Sequence, residues 1–290
     1  MSRRWGKTVM RMGSNVGFFA GFFPGFFVVA FLVAGLVQIP GAWLAPLVSQ
    51  ASNQRLRLSD VEGSIWNARA TLHAFDRSSS RWHPGLGIRW SMAWTELFGA
   101  RIAFDLNLGD LSQIDLTHDN LSHDAGGVAQ VTADVRGWSL NRVKLRMPVA
   151  PLASSMQGAL ADYGWSGTLI ANGAAFRCQW DGLFSDCSGQ LAFDWIAAHS
   201  AQIPGPALGD YRLRLTGESQ AMRFDLSTER GRLQIAGAGD YSKGSLHFGG
   251  EAWVTTDDSA SLDTLLRAIG RPGSAPGRYL IEYREKIGVR

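Results

Sequence analysis

Between residue 12 and residue 54 the chain carries no charged side chain. That gap is foreign to a solvated surface, and from Val16 to Val37 it is almost entirely Val, Phe, Ala, Leu and Gly. A run of roughly 20 such residues crosses a hydrocarbon core about 30 Å thick. Acid is missing ahead of the run as well, where Arg3, Arg4, Lys7 and Arg11 stand alone. The positive-inside bias then sets residues 1–15 in the cytoplasm as a basic tail. Residues 16–37 read as a single transmembrane helix, 38–54 as a membrane-proximal linker, and 55–290 as a periplasmic β domain. The protein is thus expected in the cell inner membrane, single-pass, with its C-terminal domain exported. A cleaved signal peptide is the competing reading. Against it, the run is longer than a signal's apolar core and Gln38 to Trp43 offers no small-x-small cleavage site. Trp43 also sits where an interfacial anchor sits. Pro24, inside the span, suggests a kink that lipid tolerates.

Catalytic signatures are missing too. There is no nucleophile elbow, phosphate loop or paired His-Glu motif, and the six histidines are scattered at 73, 83, 118, 123, 199 and 247. His118 and His123 match no helical metal spacing. Gly126-Gly127 and Gly249-Gly250 lack the strand, glycine loop and helix order that phosphate binding requires. Asp105, Asp110, Asp115 and Asp119 form no carboxylate pair that any pocket would single out. The expectation is a protein that is not an enzyme, with no catalytic, cofactor-binding or metal residues. Nucleic acid is excluded as well. The formal charge of +3 belongs to the four basic residues of the tail, so the remainder stands at about −1 with no clustered basic face.

What the exported part does have is alternation of period two, the mark of strands with one apolar and one polar face. Ile88, Trp90, Met92 and Trp94 alternate with polar or small residues, as do Ile102, Phe104, Leu106 and Leu108, and Tyr211, Leu213 and Leu215. Similar runs cover Met222 to Leu226, Leu233 to Ile235, Leu246 to Val254 and Tyr279 to Tyr283, separated by turn residues. The fold class expected is mainly β: a curved, largely antiparallel β-sheet ectodomain after the membrane helix, with two short helices. One helix opens at Pro151 with Leu152, Met156 and Leu160 on one face. The other is capped by Ser261, runs to Ile269 and stops at Gly270. Tryptophans at 66, 82, 90, 94, 138, 165, 180, 195 and 253 read as filling for a shallow sheet core. An echo between Gly63-Ser64-Ile65 with Ala70 and Gly167-Thr168-Leu169 with Ala174 suggests two strand blocks, 55–147 and 163–290. Cys178 and Cys187, close together in an oxidising compartment, are expected to form a local disulfide. Two reduced buried thiols are the alternative, and a metal site would need ligands not found nearby.

Residues now suggest a family. Gly63, Trp66 and Ala70, in the segment Val61 to Ala70, resemble the Gly-x-x-Trp-x-Gly-x-Ala signature of the type II secretion system protein N family, with Ala68 where that signature has glycine. Gly270, Arg271 and Pro272, then Gly277, Arg278 and Tyr279, are similar to the family's ending, and the two cysteines stand in similar surroundings. The resemblance implies an accessory inner-membrane component of the machine that exports folded proteins through an outer-membrane secretin. It acts by protein-protein contacts in the periplasm and has no catalytic residues. The expected partners are the other inner-membrane components of that system, the secretin and the inner membrane itself. Anchored β architecture also suits an envelope-biogenesis protein whose sheet groove handles lipid. The two differ in one observable: a lipid carrier needs an open apolar groove, whereas an assembly component needs its apolar face closed by helices or a second layer.

Overall fold

The structure is a computed structural model that describes residues 35, 38–76, 81–82, 86–109, 126–153, 163–180, 186–219, 221–255, 259–275 and 277–286. The chain divides into a first unit, Met1–Ile39, and a second, Pro40–Arg290, which holds the strands. Nearly all of the span expected at 16–37 lies outside the described residues. Among those described, no helix is long and apolar enough to cross a membrane.

The second unit opens with a 3-10 turn, Gly41–Trp43, and helix α1, Leu44–Ala51. Seven strands follow: β1 Leu56–Ser64, β2 Asn67–Asp76, β3 Arg81–Trp82, β4 Leu86–Met92, β5 Ile102–Gly109, β6 Gly126–Ala133 and β7 Gly137–Pro148. A short helix α2, Ala150–Ala153, leads to β8 Trp165–Gln179, β9 Ser188–Ser200, β10 Gly209–Glu218, β11 Ala221–Gly231, β12 Leu233–Ser242 and β13 Ser245–Val254. Helix α3, Ser259–Ile269, precedes β14 Arg271–Pro272 and β15 Arg278–Lys286. Among the described residues all of these strands join one antiparallel sheet in chain order, except that β3 hangs on β2 and β14 lies outside β15. β7 pairs with β8 along almost its whole length, so the sheet is continuous between the two sequence blocks.

Alternation becomes two faces through the register. Leu145, Ala171, Phe193, Leu213 and Leu226 stand opposite one another across β7 to β11. Gly237 and Gly250 continue that row; Gly237 leaves room for Phe248 and Gly239 for Phe224, and the two rings stack 6.0 Å apart. The other face is wet: Asp194 and Arg212, neighbours in register, pair at 2.6 Å. The sheet also curls. Cα atoms of β8 and β10, which flank β9, come within 8 Å, as do those of β10 and β12. Flat strands two apart would be about 9.6 Å apart. Likewise α2, at the end of β7, touches β2, which a flat sheet would hold about 19 Å away.

The core sits on the apolar face in three clusters. Ala68, Ala70 and Trp90 pack with Leu44 of α1; Val143, Ala171, Phe176, Leu191 and Met222 fill the middle; Leu262, Leu265 and Leu266 of α3 close over Leu208, Leu233, Ala252 and Tyr279.

Three expectations need correction. α3 begins at Ser259, so Ser261 lies inside the helix rather than capping it. The strand expected to reach Trp94 ends at Met92; Trp94 opens a 3-10 turn, Trp94–Gly99, and is exposed. The echo is no structural repeat, because Gly63 ends β1 at a hairpin while Gly167 lies in a bulge within β8. Met156, Leu160, His83, His118, His123, Asp110, Asp115, Asp119 and Asp181 to Leu183 lie outside the described residues.

Candidate functional site

The family-motif residues gather at two corners on opposite sides of the sheet. At the first, Gly63 holds φ +109, and a Cβ there would collide with the carbonyl oxygen of Asn67, so the β1–β2 turn requires glycine. Trp66 follows, tilted against Trp94 with centroids 5.9 Å apart, and Ala70 is fully buried beside Trp90.

The second corner joins α3 to the end of the sheet. The N–H of Gly270 donates to the carbonyl of Leu266 at 2.9 Å, which finishes the helix. Arg271 pairs with Glu282 at 2.9 Å, and Pro272 faces Tyr279 in the β14–β15 register. Gly277 turns the chain at φ +73. The guanidinium of Arg278 lies 4.7 Å from the ring centroid of Trp253 and pairs with Glu251. The hydroxyl of Tyr279 donates to Asp263 at 2.6 Å, and Arg267 donates to the same carboxylate at 2.7 Å. These two bonds, that of Tyr279 first, hold the Asp263 carboxyl below the usual carboxylate range; the same bond pushes the phenol of Tyr279 up. Of these side chains Tyr279 fastens α3 to the sheet, while Arg271 and Arg278 tie neighbouring strands to one another.

Cys178 and Cys187 form the disulfide, 4.1 Å between Cα atoms, fastening the end of β8 to the start of β9. Both sulfurs are buried beside Phe176 in the central core. Just outside, Asp134 organises the β6–β7 turn. Its carboxylate accepts the backbone N–H groups of Arg136 at 2.8 Å and Gly137 at 2.9 Å, and pairs with Arg177 at 2.6 Å. The N–H of Arg136, then that of Gly137 and the charge of Arg177, hold its pKa down. The indole N–H of Trp180 donates to the Asp134 carbonyl at 2.7 Å. A pocket of about 420 Å³ opens on the polar face here, lined by Gln130, Thr132, Asn141, Arg177 and Ser188. A second, of about 650 Å³, lies on the same face among Asn172, Gln190, Arg214 and Asp225. Each lining carries both a cation and an acid, so neither pocket is a one-sign field.

The edges differ. Helix α1 packs along β1, Asp60 bulges at φ 52, and Pro40 bridges Ser64, so the first edge is covered and bent. On the far side β14 pairs only with Tyr279 and Leu280 of β15. Among the described residues the outer edge of β15 from Ile281 to Lys286 is unpaired, and it carries Glu282, Arg284, Glu285 and Lys286. Such charges guard an edge against indiscriminate pairing while leaving its backbone available.

Among the described residues no group of three or more His, Cys, Asp or Glu side chains is placed to hold a metal. Sequence reasoning missed Asp134, Asp210 and the β15 edge. Asp134-Val135-Arg136-Gly137 is a turn signal that would have located the first; nothing local distinguishes the others.

A one-sheet antiparallel β domain, apolar on one face, with signature residues at its corners and, among the described residues, one open edge, defines the class as a mainly β protein. The chain belongs to a family of that kind: the profile described as Type II secretion system (T2SS), protein N matches residues 54–282, which ties it to type II secretion. No curated protein and no solved structure matches it.

Proposed function

We propose that this protein is a bitopic inner-membrane component of the type II secretion machinery, anchored through residues 16–37. On this reading its β domain lies in the periplasm and acts by contact with other inner-membrane components and the secretin. It performs no chemistry. The observation that carries the reading is the family match over residues 54–282. The open edge of β15 supports contact, since an unpaired strand offers backbone N–H and C=O groups to a partner strand. Against the lipid-groove alternative stand helices α1 and α3, which pack onto the apolar face at its two sides, while two pockets lie on the polar face.

Deletion of the gene in a host with the complete secretion system tests the function. The expected result is a loss in assembly or output of that system with outer-membrane lipid asymmetry intact. Unchanged secretion with altered lipid asymmetry would overturn it. Reporter fusions after Arg290 test the topology: an export-dependent reporter should be active and a cytoplasm-only reporter silent.

A further inference from the structure

Among the described residues, the most exposed large apolar side chains on the turns of the sheet gather at one end. Because each strand reverses the last, the turns at 64–67, 92–102, 133–137 and 179–188 all lie at the same end. Phe98, 95% exposed, and Trp94 stand on the turn between β4 and β5; Val135, 91% exposed, is in the β6–β7 turn; Trp180, 55% exposed, follows β8. Trp43, 66% exposed, comes three residues after Pro40, which bridges Ser64 at this end. Among the described residues at the opposite end, Trp82, Val128 and Leu152 are each less than half exposed.

Turn tips are the cheapest places to put polar residues, so apolar ones there call for a cover. The chain itself indicates which. The uncharged run reaches this end at Pro40, and only Gln38 and Ile39 lie between Pro40 and Val37, the end of the apolar span. That stretch reaches at most about 10 Å. We propose that this end of the sheet is a membrane-interface surface, with Phe98, Val135, Trp180, Trp94 and Trp43 seated among the lipid headgroups of the bilayer that holds the anchor. Tryptophan suits that layer, with an apolar ring and a polar N–H, and phenylalanine and valine bury apolar area on its hydrocarbon side. Charge is compatible. Exposed Arg136 sits beside Val135, and the nearby acids Glu96 and Asp134 are already paired with Arg101 and Arg177. The surface orients the sheet end-on, and this inference rests on the membrane anchoring proposed above.

The test is photolabelling of the full-length chain in vesicles of phosphatidylethanolamine and phosphatidylglycerol that contain a lipid with a photoreactive acyl chain. Adducts are mapped by peptide mass spectrometry. Strands of nine residues separate the two ends by about 30 Å. Peptides holding Phe98 and Val135 should therefore carry at least about ten-fold more adduct than the one holding Trp82, which lies outside a hydrocarbon layer of that thickness. The double variant Phe98→Ser with Val135→Ser, both at exposed positions, should retain its circular dichroism and lose those adducts. Equal labelling at Trp82, or no label at Phe98 and Val135 in a chain that resists carbonate extraction, would overturn the proposal. So would crosslinks in native membranes that join the Phe98 peptide to another protein in place of lipid. Carbonate release of the chain is a separate result, and it would strike the anchor.

Discussion

Asp210 shows how one carboxylate can hold a local irregularity. It is buried at the start of β10, accepts the backbone N–H of Ala197 at 2.7 Å and pairs with Arg230. Ala197 has φ 51, a conformation that costs a non-glycine residue about 1 kcal/mol or more, and the β9–β10 register shifts at that point. The Ala197 N–H first, then Arg230, holds the Asp210 carboxyl below its usual value. A depressed folded pKa stabilises the fold above the unfolded pKa and is lost as pH falls through the folded value. Asp210→Ala should therefore cost about 2 kcal/mol near neutrality, the scale of a hydrogen bond to a charged group. The difference from wild type should shrink below about pH 4. Urea titrations of both proteins across that range check it; a constant difference at every pH would be the wrong outcome. None of this was legible in the sequence, because Asp210 next to Tyr211 reads as an ordinary strand start until the bulge is seen.

Elements were legible where alternation runs unbroken. β4, β5, β10, β11, β12, β13 and β15 were all marked by period-two runs. β6 to β9 were not, and their registers shift at Val128/Gln130, Ser166/Thr168 and Asn172/Phe176. A bulge adds one residue and reverses the phase of everything after it, so a strand with two bulges shows no clean period. The tryptophans divide in the same way. Trp90 fills core as expected, whereas Trp82, Trp94 and Trp180 are exposed at turns and on the short edge strand. The motif residues were legible as a pattern, but only the fold shows that Tyr279 fastens α3 and that Arg278 ties β15 to β13.

Two element-scale predictions follow from packing. Reducing the Cys178–Cys187 bridge, nine residues apart, releases a short loop and should lower stability by roughly 2–3 kcal/mol on the chain-entropy account. Chemical denaturation with and without reductant measures it, and no shift would refute a stabilising role. Leu265→Ala should cost about 2–4 kcal/mol, because that side chain is 2% exposed in the cluster under α3. An exposed change on the same helix, Arg267→Ala, should cost less than about 1 kcal/mol. Thermal melts of the two variants should separate accordingly.

At the scale of the whole molecule, the meander makes each strand depend mainly on its two neighbours in sequence. Pairings between sequence neighbours are cheap to close, and stability becomes close to a sum of neighbour terms, as in repeat proteins. The middle of the sheet has the best terms: β7, β8 and β9 are the longest strands, at 12, 15 and 13 residues, and they carry the central core and the disulfide. At the first edge β1 bends away at its bulge, and at the last β14 has two residues. Opening should therefore begin at the edges and end in the middle. Native-state hydrogen exchange on the full-length protein in detergent should find the slowest amides in β7 to β9, with protection falling toward β1 and β15. The C-terminal side should fall less steeply, because the α3 cluster ties β12, β13, β15 and the β9–β10 connection together at their ends. Equal protection from β1 to β15 would mean that the sheet opens only as a whole, and neighbour-by-neighbour stability would then be the wrong description.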